Sequence, residues 1–231
     1  MAYRRTENVA RRLAEREQTI LHAAQSIASE SGMGAVQIAP VAQRADIAAG
    51  TVYRYFPSKS NLVAEVIASA AERELAAMRA AADAAPGPLS ALAACIATFA
   101  ARALNARRLT WAVLAEPVDA DIDALRVEFR RAIANELEKR INVAIAGRHL
   151  PDQDAALAAP AIVGAVLEGL IGPLASPGAG AREAVQSITV LALRTLGVVD
   201  AHARGLVAQC DLPWVNGLRA QAIRATATSQ L

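Results

Sequence analysis

Apolar residues recur along most of this chain at three- and four-residue intervals, and short glycine- or proline-bearing breaks divide the stretches that carry that spacing. Ile20, Leu21, Ala24, Ile27 and Ala28 make one stripe of a helix over about 9–31, which Ser31-Gly32 ends by the glycine route. Two short helices follow, over about 38–45 and 48–55, with Asp46-Ile47 as the turn between them. Phe56-Pro57 closes the second, because the residue before a proline resists helix. Ser58 then caps a long helix reaching about residue 84. After the break at Ala84-Ala85-Pro86-Gly87-Pro88, helical pattern covers 89–104 and 108–115 and stops at Glu116-Pro117. Asp119 or Asp121 caps a long amphipathic helix to 146, and Gly147 to Pro151 is a loop with a glycine stop. An apolar helix over 152–171, a loop over 173–180 and a helix over 182–196 ended by Gly197 come next. From 198 the pattern predicts one or two short helices and a frayed end. The expected fold class is all-α.

Composition sharpens this picture in three places. Alanine dominates and aromatics are only 3%, which favours helices throughout. Net charge is +2, yet residues 1–60 hold eight Lys/Arg against five Asp/Glu, so the basic excess sits at the N-terminal end. Cys95 and Cys210 stand far apart with no metal-ligand spacing, which predicts two buried thiols in a reducing compartment. The arginine-rich start has no apolar core behind it, and the apolar stretch 155–175 is interrupted by Glu168, Gly169 and Pro173. It reads as a packed helix, so the expectation is a cytoplasmic protein with no membrane partner.

The segment from Val41 to Lys59 carries the most chemistry: a short helix, a tight turn and a second short helix stopped by proline. Its polar edge offers hydroxyls, phenols and cations but no catalytic grouping, as a helix-turn-helix needs for a major groove and its flanking phosphates. Two surface helices of an ordinary bundle would show the same spacing without that edge.

These residues resemble the TetR family of bacterial transcriptional regulators. The match runs over about 12–66 and rests on Val41-Ala42, Ala45-Asp46-Ile47, Gly50-Thr51-Val52-Tyr53, Tyr55-Phe56 and Ser58-Lys59, in register without a gap. Leu114-Ala115-Glu116-Pro117 with Phe129-Arg130-Arg131 is a looser match to the bodies of such regulators. The resemblance implies a three-helix helix-turn-helix head, a linking fourth helix and an all-helical body that binds a ligand and dimerises. The expected divisions are a flexible basic arm over 1–10, the DNA-binding domain over 11–57, a connecting helix over 58–85 and the body over 86–231.

Carried over residue by residue, the resemblance implies that Thr51, Tyr53, Tyr55 and Lys59 meet phosphates and that Gly50 lets the recognition helix approach DNA. Val52, Phe56 and Ile47 read as core of the head. Several positions depart from the family's pattern. No Ser or Thr caps the second helix at Val36-Gln37-Ile38, and Pro40 lies in its first turn, where a missing N–H costs little. Asp46 replaces a frequent turn glycine and tolerates its left-handed conformation. Ala48 and Ala49 stand where the family has polar base-readers, and a methyl can meet a thymine methyl but cannot hydrogen-bond a base. Specificity then falls to Gln37, Gln43, Arg44 or Arg54, to DNA shape, or to Arg4, Arg5, Arg11, Arg12 and Arg16. Those arginines, interleaved with Glu7, Glu15 and Glu17, read either as a minor-groove arm or as a solvated helix start.

In the body, Met78, Phe99, Trp111 and Phe129, with Glu116, Arg126 and Glu168 as polar groups, are the candidate lining of a cavity for a small lipophilic effector, an acyl chain or an aromatic compound. Ile162, Val166, Leu170, Ile188, Leu191 and Leu196 make two helices apolar nearly all round, with Gly164, Ala165 and Gly169 permitting close approach. In the resembled family such a pair forms a homodimer interface; the alternative is one more buried layer of the monomer. His22, His149 and His202 lie apart, with no HExxH, GxSxG or phosphate loop near them, and the carboxylate runs around Glu128 and Glu136 read as solvent-facing. No catalytic residue, metal site or cofactor is expected. The pattern predicts a dimeric, ligand-responsive regulator, most simply a repressor on a palindromic double-stranded operator. The rivals are an activator on the same fold and a helical ligand sensor that binds DNA weakly.

Overall fold

The computed structural model describes residues 2–117, 120–175 and 180–210, with 2–10 described by their backbone. Ten α-helices and no strand occupy those residues. The first, α1 (Ala2–Ser31), is helical over 2–10, where the pattern predicts a flexible arm. Alternating Arg and Glu at four-residue spacing favours the helix, and Arg11 and Glu15 meet at 3.6 Å. The buried stripe of α1 is the expected one, Ile20, Leu21, Ala24, Ile27 and Ala28. Gly32 ends the helix at φ 83°, a left-handed geometry that costs glycine nothing.

A 3₁₀ turn (Met33–Ala35) leads into α2 (Ile38–Arg44), which Gln37 precedes without a side-chain cap. Asp46 turns the chain at φ 53°, and α3 (Ala49–Tyr55) follows. Val41, Val52 and Phe56 are buried in the head, where α2 packs on both α1 and α3. Ser58 caps α4 (Lys59–Asp83), its Oγ accepting from the Asn61 N–H at 3.1 Å. One end of α4 packs on α1 and its length packs on α5 (Pro88–Asn105) and α7 (Ala120–Ala146), so this helix belongs to head and body alike.

The body adds α6 (Arg107–Leu114), α8 (Ala155–Val166), α9 (Ala181–Thr195) and α10 (Asp200–Ala208). Its spine is α5, which touches α4, α7, α9 and α10. By length and composition α5 would suit a membrane span, but 67% of it is buried among the other helices. The single helix expected over 152–171 is divided. Asp154 caps α8, with Oδ1 accepting from the Leu157 N–H at 3.1 Å, and α8 then widens into a π turn over Leu167–Ile171. At the end of α7 the left-handed residue is Arg148 (φ 57°) rather than Gly147. The proposed Asp119 cap, residues 176–179 of the loop and the tail beyond 210 lie outside the described residues.

Glu136 corrects the sequence reading. It is only 5% exposed, and it joins α7 to α4 through Arg79 (3.0 Å) and to Arg140 (2.9 Å), which also reaches Asp83 at 2.8 Å. Burial opposes its ionisation, but the hydrogen bonds from Arg79 and Arg140 prevail and hold its carboxyl below the usual range. Cys95 is buried and Cys210 half-buried. Burial pushes the Cys95 thiol up to about 12, so it is inert as a nucleophile near neutral pH.

Candidate DNA-binding face and effector cavity

On α3, Ala48, Ala49, Gly50, Tyr53 and Arg54 are exposed, and Gln43 is exposed at the end of α2. Thr51, Tyr55 and Lys59 are half-buried at the rim, and the Tyr55 ring lies 6.5 Å from that of Phe56. Gly50 has an ordinary φ, and a Cβ added to it would meet nothing within 4 Å. The fold therefore does not require glycine there.

Arg44 is already engaged. Its Nη1 and Nη2 donate to the two carboxylate oxygens of Glu30, each at 2.7 Å, and Nη1 also reaches Ser26 Oγ at 2.7 Å. This two-pronged, charge-assisted pair straps α2 to α1. The hydrogen bond from Arg44, aided by Ser26, lowers the Glu30 pKa to about 2. Gln37 is exposed and donates from Nε2 to the nearby Gly34 carbonyl at 3.1 Å. Of the four polar base-readers expected, Gln43 and Arg54 are the two whose side chains make no hydrogen bond among the described residues.

In the body, α4, α5, α6 and α7 line a pocket of about 210 Å³ that is partly open to solvent. Phe99, Leu109, Val113, Leu114 and Phe129 supply its apolar wall; Arg73, Glu74, Arg102, Asn105 and Thr110 supply the polar part. Glu74 Oε2 accepts from Arg102 Nε at 2.8 Å, whereas Glu74 Oε1 is buried without a partner. Burial raises the Glu74 pKa more than Arg102 lowers it.

Head and body are also joined by a direct bond. Glu116, in the α6–α7 loop, accepts the Met33 N–H on Oε2 at 3.0 Å. A Cβ on Gly32 would stand 2.7 Å from Glu116 Oε1, so a side chain there would push the Glu116 carboxylate aside as well as strain the backbone at φ 83°. From α6, Arg108 donates to the Glu30 carbonyl at 3.3 Å.

Residues 20–66 match the family of bacterial regulatory proteins called tetR. The head belongs to the TetR family. Over 59 residues the chain is 51% identical to the transcriptional repressor KstR of Rhodococcus jostii, covering 26% of this chain and 28% of that one. The chain thus spans little more than a quarter of the length of the curated relatives it matches. The fold extends further. RolR, solved with resorcinol, superposes with a TM-score of 0.63 at 20% identity, covering 88% of this chain and 98% of its own. GusR of Salmonella enterica gives 0.64 at 22% identity, covering 80% and 96%. The architecture of the body is therefore shared with these two structures.

Several residues expected from the sequence to line the cavity stand elsewhere in the body. Phe99 and Phe129 line the cavity, but Met78 is wholly buried core. Trp111 and Glu116 line a separate cleft of about 430 Å³ between α1 and α6. Arg126, 2% exposed, donates to Asp123 (2.7 Å) and the Ala112 carbonyl (2.9 Å), so it binds α7 to α6. Glu168 is exposed. The polar cavity residues Glu74 and Arg102 were missed because each sits on an ordinary amphipathic helix, and only the pairing of α4 with α5 brings them together. Of the dimer candidates, Ile162, Val166, Leu170 and Ile188 are buried inside the protomer, where a Cβ added to Gly169 would stand 3.3 Å from Ile188 Cδ1. Leu191 is 50% exposed; Ala156, Leu157, Pro160, Ala161 and Gly164 are the exposed residues of α8.

Proposed function

We propose that this protein is a ligand-responsive DNA-binding transcriptional regulator: a homodimeric repressor that a small effector releases from a palindromic operator. The observation that carries the reading is α4. It starts at the rim of the recognition helix, with Lys59 in its first turn, and ends as a wall of the cavity through Ala70, Arg73 and Glu74. An occupant that displaces this wall tilts the recognition helix with it. Effector and DNA then oppose each other by a reciprocal coupling of about 1–3 kcal/mol. Phosphates are met by Thr51, Tyr53, Tyr55 and Lys59; direct base contact falls to Gln43, Arg54 and the methyls of Ala48 and Ala49 against thymine. The dimer forms on the outward faces of α8 and α9, through Leu157, Ala161, Gly164 and Leu191 in place of the buried residues.

The test is a titration against DNA flanking the protein's own gene, at about 0.15 M salt with unrelated DNA as competitor. Saturable binding to a palindrome that survives competitor, weakened at least tenfold by Tyr53→Phe with Lys59→Ala, supports the regulator. The exposed, apolar Ala48-Ala49 pair favours the rival sensor reading, for which binding would vanish with salt and ignore sequence.

A further inference from the structure

The cavity places limits on the chemistry of its occupant, and this inference rests on the reading that it receives the effector. Its volume of about 210 Å³ exceeds by less than half the ~150 Å³ of an apolar cavity that admits benzene. One aromatic ring with small substituents fills that space, whereas a long acyl thioester would leave most of its length outside it. The apolar wall is built for a ring, with Phe99 and Phe129 from two helices and Leu109, Val113 and Leu114 from α6 and its end.

The polar wall is asymmetric. Glu74 and Arg102 are paired through one oxygen and Nε, which leaves Glu74 Oε1 as a buried acceptor with no donor. Leaving such an acceptor unmatched is costly, so a ligand that brings a donor gains more than one that brings only apolar surface. A carboxylate brings no donor and would have to face Oε1 or break the Glu74–Arg102 pair. Thr110 and Asn105 on the same lining provide partners for a second hydroxyl.

We propose that the effector is a compact, neutral, hydroxyl-bearing aromatic compound whose hydroxyl donates to Glu74 Oε1, with its ring against Phe99 and Phe129. Glu74 then selects hydroxyl donors over ethers and acids of the same size.

Calorimetric titration of the full chain with phenol, resorcinol, anisole, benzoate and octanoate tests this. Phenol and resorcinol are expected to bind at least tenfold more tightly than anisole, which has the ring without the donor, and benzoate and octanoate more weakly still. Glu74→Gln turns an amide N–H toward the cavity while its oxygen stays on Arg102; it should erase the preference of phenol over anisole and leave anisole affinity within about threefold. Equal binding of phenol and anisole, tighter binding of benzoate or octanoate, or no binding by any of the five overturns the proposal, and these wild-type results decide it even if the variant misfolds. DNA titration of the same preparation separates the two readings. Intact operator binding with a failed panel sinks only the ligand class, whereas phenol binding without sequence-specific DNA binding sinks only the regulator.

Discussion

Gly50 is a glycine that the fold itself does not require. Nothing in the protein would touch its Cβ and its backbone is ordinary helix, so Gly50→Ala should stabilise the chain by about 0.4–1 kcal/mol. The same methyl stands on the exposed face of α3, and operator affinity should fall at least tenfold. Thermal unfolding and DNA titration on one preparation check the opposite signs; a variant that gained stability and kept affinity would remove Gly50 from the interface. Glu116 is the converse case, a residue whose role was hidden. The sequence marks it as a carboxylate in a helix break, which suggested a cavity group, but its partner Met33 lies 83 residues away. No local pattern carries that pairing. Glu116→Ala should cost about 1–3 kcal/mol by stripping the Met33 N–H of its acceptor, measured by denaturant unfolding, where a cost below a few tenths would show the bond to be dispensable.

At the scale of elements, the three-helix head was readable because its punctuation is local. Gly32, Asp46, Phe56-Pro57 and Ser58 each act within a turn of where they stand, and all four do what their chemistry predicts. Where two elements meet, reading failed. Arg44 looked like a free cation at the end of α2, yet Glu30 and Ser26 on α1 hold it. This strap has a defined acid limit. Arg44 and Ser26 hold the Glu30 pKa at about 2 in the folded head, below the 4.5 of an ordinary glutamate, so its contribution is complete above about pH 4.5 and is lost as pH falls toward 2. Wild type should accordingly exceed Glu30→Gln in stability near neutral pH and converge with it as the pH drops across that window, followed by circular dichroism. A gap that persisted at pH 2 would mean that packing, not the ion pair, joins α1 to α2. The amphipathic signal likewise gave the existence of α8 but not its π turn, since Gly169 against Ile188 is a property of two helices.

At the scale of the whole molecule, the all-α architecture was legible from periodicity and breaks, whereas the inner and outer faces of α8 and α9 were not. Helices apolar nearly all round cannot be oriented by sequence alone, and the protomer core claims Ile162, Val166, Leu170 and Ile188. The outward residue Leu191 carries the assembly prediction. Leu191→Glu should convert the dimer to a monomer in sedimentation experiments and weaken operator binding at least tenfold, because a lone head reads too few bases. A variant that stayed dimeric would move the interface off α9.

The bond from Glu116 to Met33 also bears on modular engineering. A chimera that joins this head to a foreign sensor at residue 57 or 66 would inherit Gly32, whose bare backbone waits for a carboxylate encoded far downstream. Such a hybrid would fold at both ends and still transmit poorly between them. The transplantable unit is therefore discontinuous: the head together with a Glu at the matching position of the recipient's α6–α7 loop.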